Sequence, residues 1–500
     1  MNSTALVWFK KDLRVCDHQP LCKGAEHRRL ICLYAYEPDI IQADDFDGSH
    51  LVFINESLAE LDQALRQLGN RLTLQCGNCV AILEQLHARH NFEHIYSHEE
   101  TGNAITYARD LKVRAWAKEN DVQLHEYAQN GVVRRLANRD GWASKWNRKM
   151  SEPLHPAPSK LPPSPESRAG ELLDENGLGI KPSERTVAQT GGRSSALELL
   201  QTFLEQRGEN YRSDMSSPLG GSHSCSRLSP YLAFGCISVR EVLQATRSQV
   251  EDIKSDPETN GRSNWLKSLS SFQSRLSWHC HFMQKLEDEP DIEFQNMNRG
   301  YDGLREEEFR EDYFQAFCNA QTGYPMIDAC MRALQQTGWI NFRMRAMLVS
   351  FSSYHLWLHW PRPAAFMARL FLDYEPGIHY SQFQMQSGVT GINTVRIYSP
   401  IKQALDNDPN GDFIREYVPE LAELPNELLA EPHKMTQMEQ LLYGCQLGKD
   451  YPLPIVEHKE AYARAKQRIF EAKNRPETRE FAARVYQKHG SRKTPARERR

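Results

Sequence analysis

The 500-residue chain has no apolar run long enough to cross a bilayer as a helix. Its first residues lack the charged-then-apolar pattern of an export signal, because Ala5-Leu6-Val7-Trp8-Phe9 is only strand-sized. The expected location is therefore cytoplasmic, with no membrane partner. Charge of one sign is also missing. Sixty-one Lys and Arg face 65 Asp and Glu, for a net charge of −4, so the whole chain does not advertise nucleic-acid binding. Only the end is basic: Lys488, Arg492, Lys493, Arg497, Arg499 and Arg500 stand against Glu498, a phosphate-touching tail or simply a solvated one. Cysteine is sparse, odd in number at eleven, and scattered, which suits reduced thiols rather than a disulfide framework. Cys76-Gly77-Asn78-Cys79 has no second ligand pair nearby, so no metal site is expected.

Length alone suggests two to four domains. Residues 1–130 alternate strand-like runs (Leu6–Phe9, Leu30–Tyr36, Leu72–Gln75, Glu93–Ser97, Gln123–Tyr127) with amphipathic runs (Leu51–Gln67, Cys79–His90, Ala104–Glu119). Such alternation predicts an α/β domain with a doubly wound parallel sheet covered on both faces. Residues 131–192 read as a linker, Pro-rich from Pro153 to Pro165, which cannot build a core. From 193 to 455 the pattern is helical, with loops expected at 214–224, 252–262, 288–301 and 374–391. Residues 456–500 read as a basic tail with one or two exposed helices.

The densest signal lies between Thr322 and Pro400. Pro325 suits a first helical turn, since its missing N–H would be unpaired there. Met326, Ile327, Cys330, Met331 and Leu334 recur at helical spacing, and Gly338 closes that helix. A second apolar helix is expected from about Ile340 to Trp360, and it contains Arg343 and Arg345. Arginine is rarely buried without a partner. Asp373 is the nearest candidate anion. An ordinary core ion pair accounts for this spacing as well as a functional site does.

This ordered set resembles the flavin-binding helical domain of the DNA photolyase and cryptochrome family. Val7-Trp8-Phe9-Lys10-Lys11-Asp12-Leu13-Arg14 resembles the family's opening strand and loop, Ser226-Arg227-Leu228-Ser229-Pro230-Tyr231 its phosphate-gripping helix start, and Phe413-Ile414-Arg415-Glu416-Tyr417 the segment after the flavin loop. The matches run in family order over roughly residues 5–490. The resemblance implies an all-α FAD-binding domain joined by the linker to an α/β domain that can hold a second, antenna chromophore. His98-Glu99-Glu100-Thr101-Gly102-Asn103, between a strand and a helix, is a fair place for one, although its acids could equally favour the helix start. By resemblance, Tyr211, Ser226, Leu228 and Ser229 contact FAD, with Cys225 replacing a frequent hydroxyl residue. Arg345 and Asp373 match the pair beside the isoalloxazine ring. Trp278 matches a lesion-stacking tryptophan, and Arg343 belongs to the same framework. Some bacterial members carry an iron–sulfur cluster on four cysteines; here only Cys445 follows Cys330, so none is expected.

Several positions depart from the family pattern. His379 stands where cryptochromes place Asp or Cys and many photolyases Asn, facing flavin N5. Of the three tryptophans that usually reduce the flavin, Trp360 matches the middle one, while Phe383 and Glu307 occupy the other two positions. Trp357, Tyr354, Tyr380 and Tyr398 are substitutes to consider. In the lesion pocket, Arg275, Phe342, Ala346 and Met385 replace the residues serving cyclobutane dimers, and the histidines of (6-4) repair are absent. Three readings follow. The first is a monomeric, FAD-dependent DNA photolyase acting on UV-damaged DNA. The second is a cryptochrome-type photoreceptor with a protein partner. The third is a flavoprotein that keeps the fold as a nucleotide- or nucleic-acid-binding module.

Overall fold

Ala5 to Phe9 are all buried within β1 (Thr4–Phe9). An unbroken buried run is what a strand covered on both faces requires. The computed structural model describes residues 3–185, 187–258 and 260–490. In it, β1 is joined by β2 (Arg29–Tyr36), β3 (Leu72–Cys76), β4 (His94–His98) and β5 (Gln123–Tyr127) in one parallel sheet of order β3-β2-β1-β4-β5. Crossover helices α1 (Gly48–Gln67), α2 (Cys79–His90) and α3 (Ala104–Glu119) cover it. Asn78 and Asn103 cap α2 and α3 through their side chains. Helix α1 starts three residues before the expected Leu51, because Asp47 accepts from Ser49 N–H at 2.9 Å while His50 accepts from Asp47 N–H at 3.2 Å. Histidine in that reciprocal cap replaces the usual Glu or Gln, so the start signal was hidden.

The chain order reverses between β1 and β4, where doubly wound sheets usually receive a ligand. Here the crevice is filled from within. Asp12 Oδ2 accepts from His98 Nδ1 at 2.7 Å and faces His18 Nε2 at 3.0 Å, while Asp12 Oδ1 accepts from Lys10 N–H at 2.7 Å. His18 Nδ1 accepts from Leu21 N–H, so its proton sits on Nε2, toward Asp12. Lys10 pairs with Asp110 at 3.2 Å, and Arg109 bridges Glu37 and Glu100. A small void beside Lys11, Glu99, Glu100 and Thr101 is about 30 Å³, room for a single water. Ion pairs fill the inner side of the patch expected to hold an antenna, while on its outer side Glu99 and Glu100 line an open cleft of about 790 Å³ with Tyr107, Asp110, Glu126 and Arg134.

The segment read as a coreless linker is ordered, and this is a correction. Helix α4 (Trp142–Met150) buries Trp142, Trp146 and Met150. The proline-rich stretch lies along the sheet's β3 edge. Leu74 N–H donates to Ala169 O at 2.6 Å, Leu30 N–H to Pro163 O at 3.3 Å, and Leu161 N–H to Leu68 O at 2.7 Å. A proline keeps its carbonyl while losing its N–H, so such a strap can cover a strand edge without extending the sheet.

The helical part contains α5 (Arg262–Asp288), α6 (Pro325–Thr337), α7 (Phe342–Ser350), α8 (Pro361–Leu370) and α9 (Pro376–Ser387). Gly338 closes α6 at φ +71° as expected. The single helix expected over 340–360 instead ends at Ser350 and runs into a π turn, Phe351–His355. The loop expected over 374–391 is mostly α9, started by Pro376 and ended by Gly388 at φ +77°. Its apolar periodicity is masked because its inner face carries polar groups: Gln384 Nε2 donates to the carbonyls of Ile292 (2.8 Å) and Gln295 (2.7 Å). The tail helices His458–Asn474 and Pro476–His489 are docked rather than exposed, burying Ala461, Ala465, Ile469, Val485 and His489. The basic residues from Arg492 onward lie outside the described residues.

Burial alone would raise the proton affinity of Asp12, but the His18 and His98 imidazoles bring it well below the ordinary carboxylate range. Asp12→Ala would leave three buried N–H groups without an acceptor. At about 1–3 kcal/mol for each buried polar group left unpaired, the variant is expected to lose several kcal/mol of unfolding free energy. Urea denaturation should show a lower midpoint with an unchanged slope.

Candidate active site

Arg345 leaves α7 one turn after its start and meets Asp373, which lies on the short segment between the end of α8 at Leu370 and the start of α9 at Pro376. The contact is a two-point fork, Nη1 to Oδ1 at 2.9 Å and Nη2 to Oδ2 at 2.7 Å. Charge-assisted forks of this kind are strong and fix orientation. Arg345 Nε also donates to Ile340 O at 2.9 Å, and its guanidinium lies 4.1 Å over the Phe371 ring. Burial pushes the Asp373 carboxyl upward, yet the Arg345 guanidinium and the Ser229 hydroxyl more than offset it, so it stays ionised. The structure therefore brings Ser229, Arg345 and Asp373 together.

His379, on the second turn of α9, joins them. It is buried, 6.1 Å from the Phe371 ring and 4.8 Å from that of Phe383. Its Nε2 lies 2.9 Å from Ala364 O. A carbonyl only accepts, so Nε2 carries the proton and Nδ1 is left as an acceptor. Burial lowers its pKa to about 4, so the ring is neutral at physiological pH. His379 is thus buried on a helix where a loop was expected over 374–391. Helix α9 is itself anchored by its cap residue Glu375, which pairs with His279 of α5 at 2.8 Å. Burial opposes charge on His279, but the Glu375 carboxylate outweighs it and the imidazole is held protonated.

The phosphate-gripping segment is shaped by Arg207, which donates to Ser226 O at 2.8 Å and to the carbonyls of His223 and Cys225. Ser226 Oγ lies 3.4 Å from Leu228 N–H, and Leu228 is buried at the start of the Ser229–Ala233 helix. Arg227 adopts φ +60°, and its guanidinium stacks 4.1 Å from the Trp339 ring. Burial pushes the Cys225 thiol up to about 12, so it is not a nucleophile. Tyr211 packs between Phe203 and Phe272, its phenol likewise raised to about 12 by burial.

Trp278 and Phe342 stand apart from this buried group, 46% and 48% exposed. Met215 links their surroundings: its Sδ is 3.9 Å from Arg275, and its carbonyl accepts from Asn341 at 3.1 Å. Arg275 lies 4.2 Å over the Trp278 ring. Arg343 faces Tyr398 at 5.8 Å. Trp360 is fully buried and donates to Asn296 Oδ1 at 2.8 Å. Glu307 is exposed on a short 3-10 turn and Phe383 is buried. Two residues had no signal in the sequence. Tyr374 donates to Asp45 at 2.6 Å across 329 positions of chain, and Arg207 acts through backbone carbonyls.

Comparison with known proteins gives the family and the fold. Residues 5–140 match the family described as DNA photolyase, and residues 272–471 match the FAD binding domain of DNA photolyase. A cryptochrome DASH of Gloeobacter violaceus is 30% identical over 91% of this chain and 93% of its own length. A deoxyribodipyrimidine photo-lyase of Agrobacterium fabrum is 28% identical over 93% of this chain and 97% of its own. The crystal structure of a bacterial class III photolyase from Agrobacterium tumefaciens superposes with a TM-score of 0.82 at 25% identity, covering 95% of this chain and 98% of that one. A cryptochrome structure from Synechocystis (TM-score 0.81, 24% identity, 93% and 98% covered) shares the fold. With both halves matched in order and relatives aligned over nearly their full length, this chain belongs to the DNA photolyase and cryptochrome family.

Proposed function

We propose that the protein is a light-driven, FAD-dependent DNA photolyase acting on UV-induced pyrimidine lesions. The observation that carries this reading is the pair of large aromatic side chains, Trp278 and Phe342, left half-exposed on helices that flank the Arg345–Asp373 fork. Exposed aromatics beside guanidinium groups suit stacking of an unpaired base against a phosphate backbone.

The residues present fit a flavin nucleotide. Asn341 Oδ1 is buried without a donor, and Asn341, Arg227, Gln189, Trp339 and Tyr417 wall a cavity of about 160 Å³ next to the Ser226 segment. Ser226, Arg227 and the backbone at Leu228 offer hydroxyl, guanidinium and N–H groups for a pyrophosphate. Asp373 offers an ionised acceptor, and Arg345 a cation, for the ring. When bound, FAD supplies light-driven one-electron chemistry. The chain's part is placement and electrostatics. Arg345 balances negative charge, while His379 presents a neutral acceptor nitrogen that can receive a hydrogen bond but cannot donate one from Nδ1. Trp278 and Phe342 seat the lesion, and Arg343 and Arg275 face phosphate. A second chromophore has room in two open clefts: one of about 790 Å³ beside Glu99, Glu100, Tyr107 and Arg134, and one of about 720 Å³ at the ends of β2 and β3, beside Tyr36, Cys76, Arg89 and Arg168.

One observation favours the photoreceptor reading: the Arg275 guanidinium already covers a face of Trp278. Repair assays separate the two. The reduced, FAD-loaded protein under blue light is expected to restore an oligonucleotide carrying either a cyclobutane thymine dimer or a (6-4) product. Trp278→Ala is expected to weaken damaged-DNA binding by about 1–3 kcal/mol, the worth of one base–aromatic stack. Failure to restore either lesion, with FAD bound and reduced, would leave the photoreceptor reading.

His379 gives an independent prediction. Its pKa is depressed from 6.5 to about 4, so the folded state binds fewer protons there than the unfolded chain. The stability tied to its neutral form is present above pH 6.5 and lost as pH falls toward 4. Imidazole ¹⁵N spectra should show His379 as the neutral Nε2–H tautomer at pH 7 and still neutral at pH 5. A protonated ring at pH 6 would contradict the assignment.

A further inference from the structure

Phe383 replaces the flavin-proximal tryptophan expected from the family pattern, and a phenyl ring gives up an electron far less readily than an indole or a phenol. The middle position, Trp360, is nevertheless present and fully buried. The question is what connects Trp360 to the site.

Of the four substitutes visible in the sequence, three lie under cations. Trp357 is sandwiched between Arg305 at 4.6 Å and Arg468 at 4.4 Å. Tyr354 lies 5.4 Å from Arg305, and Tyr398 5.8 Å from Arg343. A guanidinium over a ring is attracted by its π density, and the same field opposes removal of an electron from that ring. Among the described residues no cation lies over the Tyr380 ring, and its centroid is 6.3 Å from that of Trp360. On its other side, the Tyr380 hydroxyl lies 3.4 Å from the Tyr374 hydroxyl. Tyr374 directly follows Asp373 in the chain and meets the His379 ring edge-on at 5.2 Å. The three rings are 1%, 6% and 8% exposed, so the path is dry.

Tyr374 also has a base. Its hydroxyl donates to Asp45 Oδ2 at 2.6 Å, and the same oxygen accepts from Asn103 Nδ2 at 2.9 Å. A buried phenol that loses an electron must lose its proton as well, and this carboxylate is placed to take it.

We propose that Tyr374, Tyr380 and Trp360 form a replacement electron relay to the flavin, with Asp45 as the base for the Tyr374 proton. The proposal rests on FAD being held as described above. In the step, one electron leaves Tyr374 for the light-excited oxidised flavin, and the phenol proton passes to Asp45, leaving a neutral phenoxyl. One electron from Trp360, passed through Tyr380, refills the phenoxyl as the proton returns from Asp45. A small thiol in solution is the terminal reductant and returns one electron to the buried Trp360 by transfer through the protein rather than by contact, two thiols yielding one disulfide and two protons over two turnovers.

The test uses full-length protein whose FAD content is measured by absorbance, with dithiothreitol as the thiol, under blue light. In the wild type, a flash should produce a tyrosyl radical detectable by electron paramagnetic resonance, and D₂O should slow its formation. Tyr374→Phe and Tyr380→Phe should each slow photoreduction by about tenfold or more, equivalent to at least one factor of ten in rate. Tyr374→Phe should also abolish the radical, and Asp45→Asn should remove the D₂O effect. A structural role for Tyr374 would not be rescued by an indole placed elsewhere, so Tyr374→Phe combined with Phe383→Trp should regain photoreduction. Wild-type photoreduction rates in both tyrosine variants, with FAD bound, would overturn the relay while leaving FAD binding intact. Absence of bound FAD in every preparation, including after reconstitution, would overturn the FAD reading and the relay with it.

Discussion

The Arg345–Asp373 fork is the contact on which the site depends. It ties α7 to the short segment before α9, and everything nearby takes its position from that tie. Arg345 covers Phe371, Ser229 reaches Asp373, and the residue after Asp373 starts the tyrosine pair. A buried ion pair is weak evidence for stability, because desolvation consumes much of the Coulombic gain. Its worth here is geometric. An ionised carboxylate and a fixed guanidinium are presented side by side, each with hydrogen-bonding capacity beyond the other.

Around this fork the protein keeps histidine neutral in some places and charged in others. His379 and His98 are pushed down by burial, His98 to about 3, whereas His279 is held protonated by Glu375. The difference lies in the partner. A carbonyl or an already shared carboxylate does not repay the cost of burying charge, while a dedicated carboxylate at 2.8 Å does. Helix α9 thus has a charged anchor at its cap and a neutral acceptor one turn further on.

Much of the fold could be read from the sequence, since it depends on local pattern. Cys79–His90 and Ala104–Glu119 form helices with the expected ends, and the five strands lie within two residues of their expected bounds. Gly338 and Pro325 act as local punctuation. The misses share a cause. Helix α9 buries glutamine, serine and histidine, so its periodicity is not apolar, and the proline-rich strap is ordered by backbone bonds to a sheet edge far away in sequence. Ser229, Arg345 and Asp373 could be placed because each carries a motif residue. Tyr374 could not, because its partner Asp45 lies in the other domain, on a segment with no motif of its own.

The most direct test of this account is the affinity for FAD in a double-mutant cycle of Arg345→Met and Asp373→Asn, titrating apoprotein with FAD and following flavin fluorescence. Each single variant is expected to lose about 1.5–3 kcal/mol, the worth of a hydrogen bond to a charged group. The double variant should lose clearly less than the sum, since the two side chains act as one unit. Unchanged FAD affinity in both single variants, with the fold intact, would contradict the claim that this pair holds the flavin.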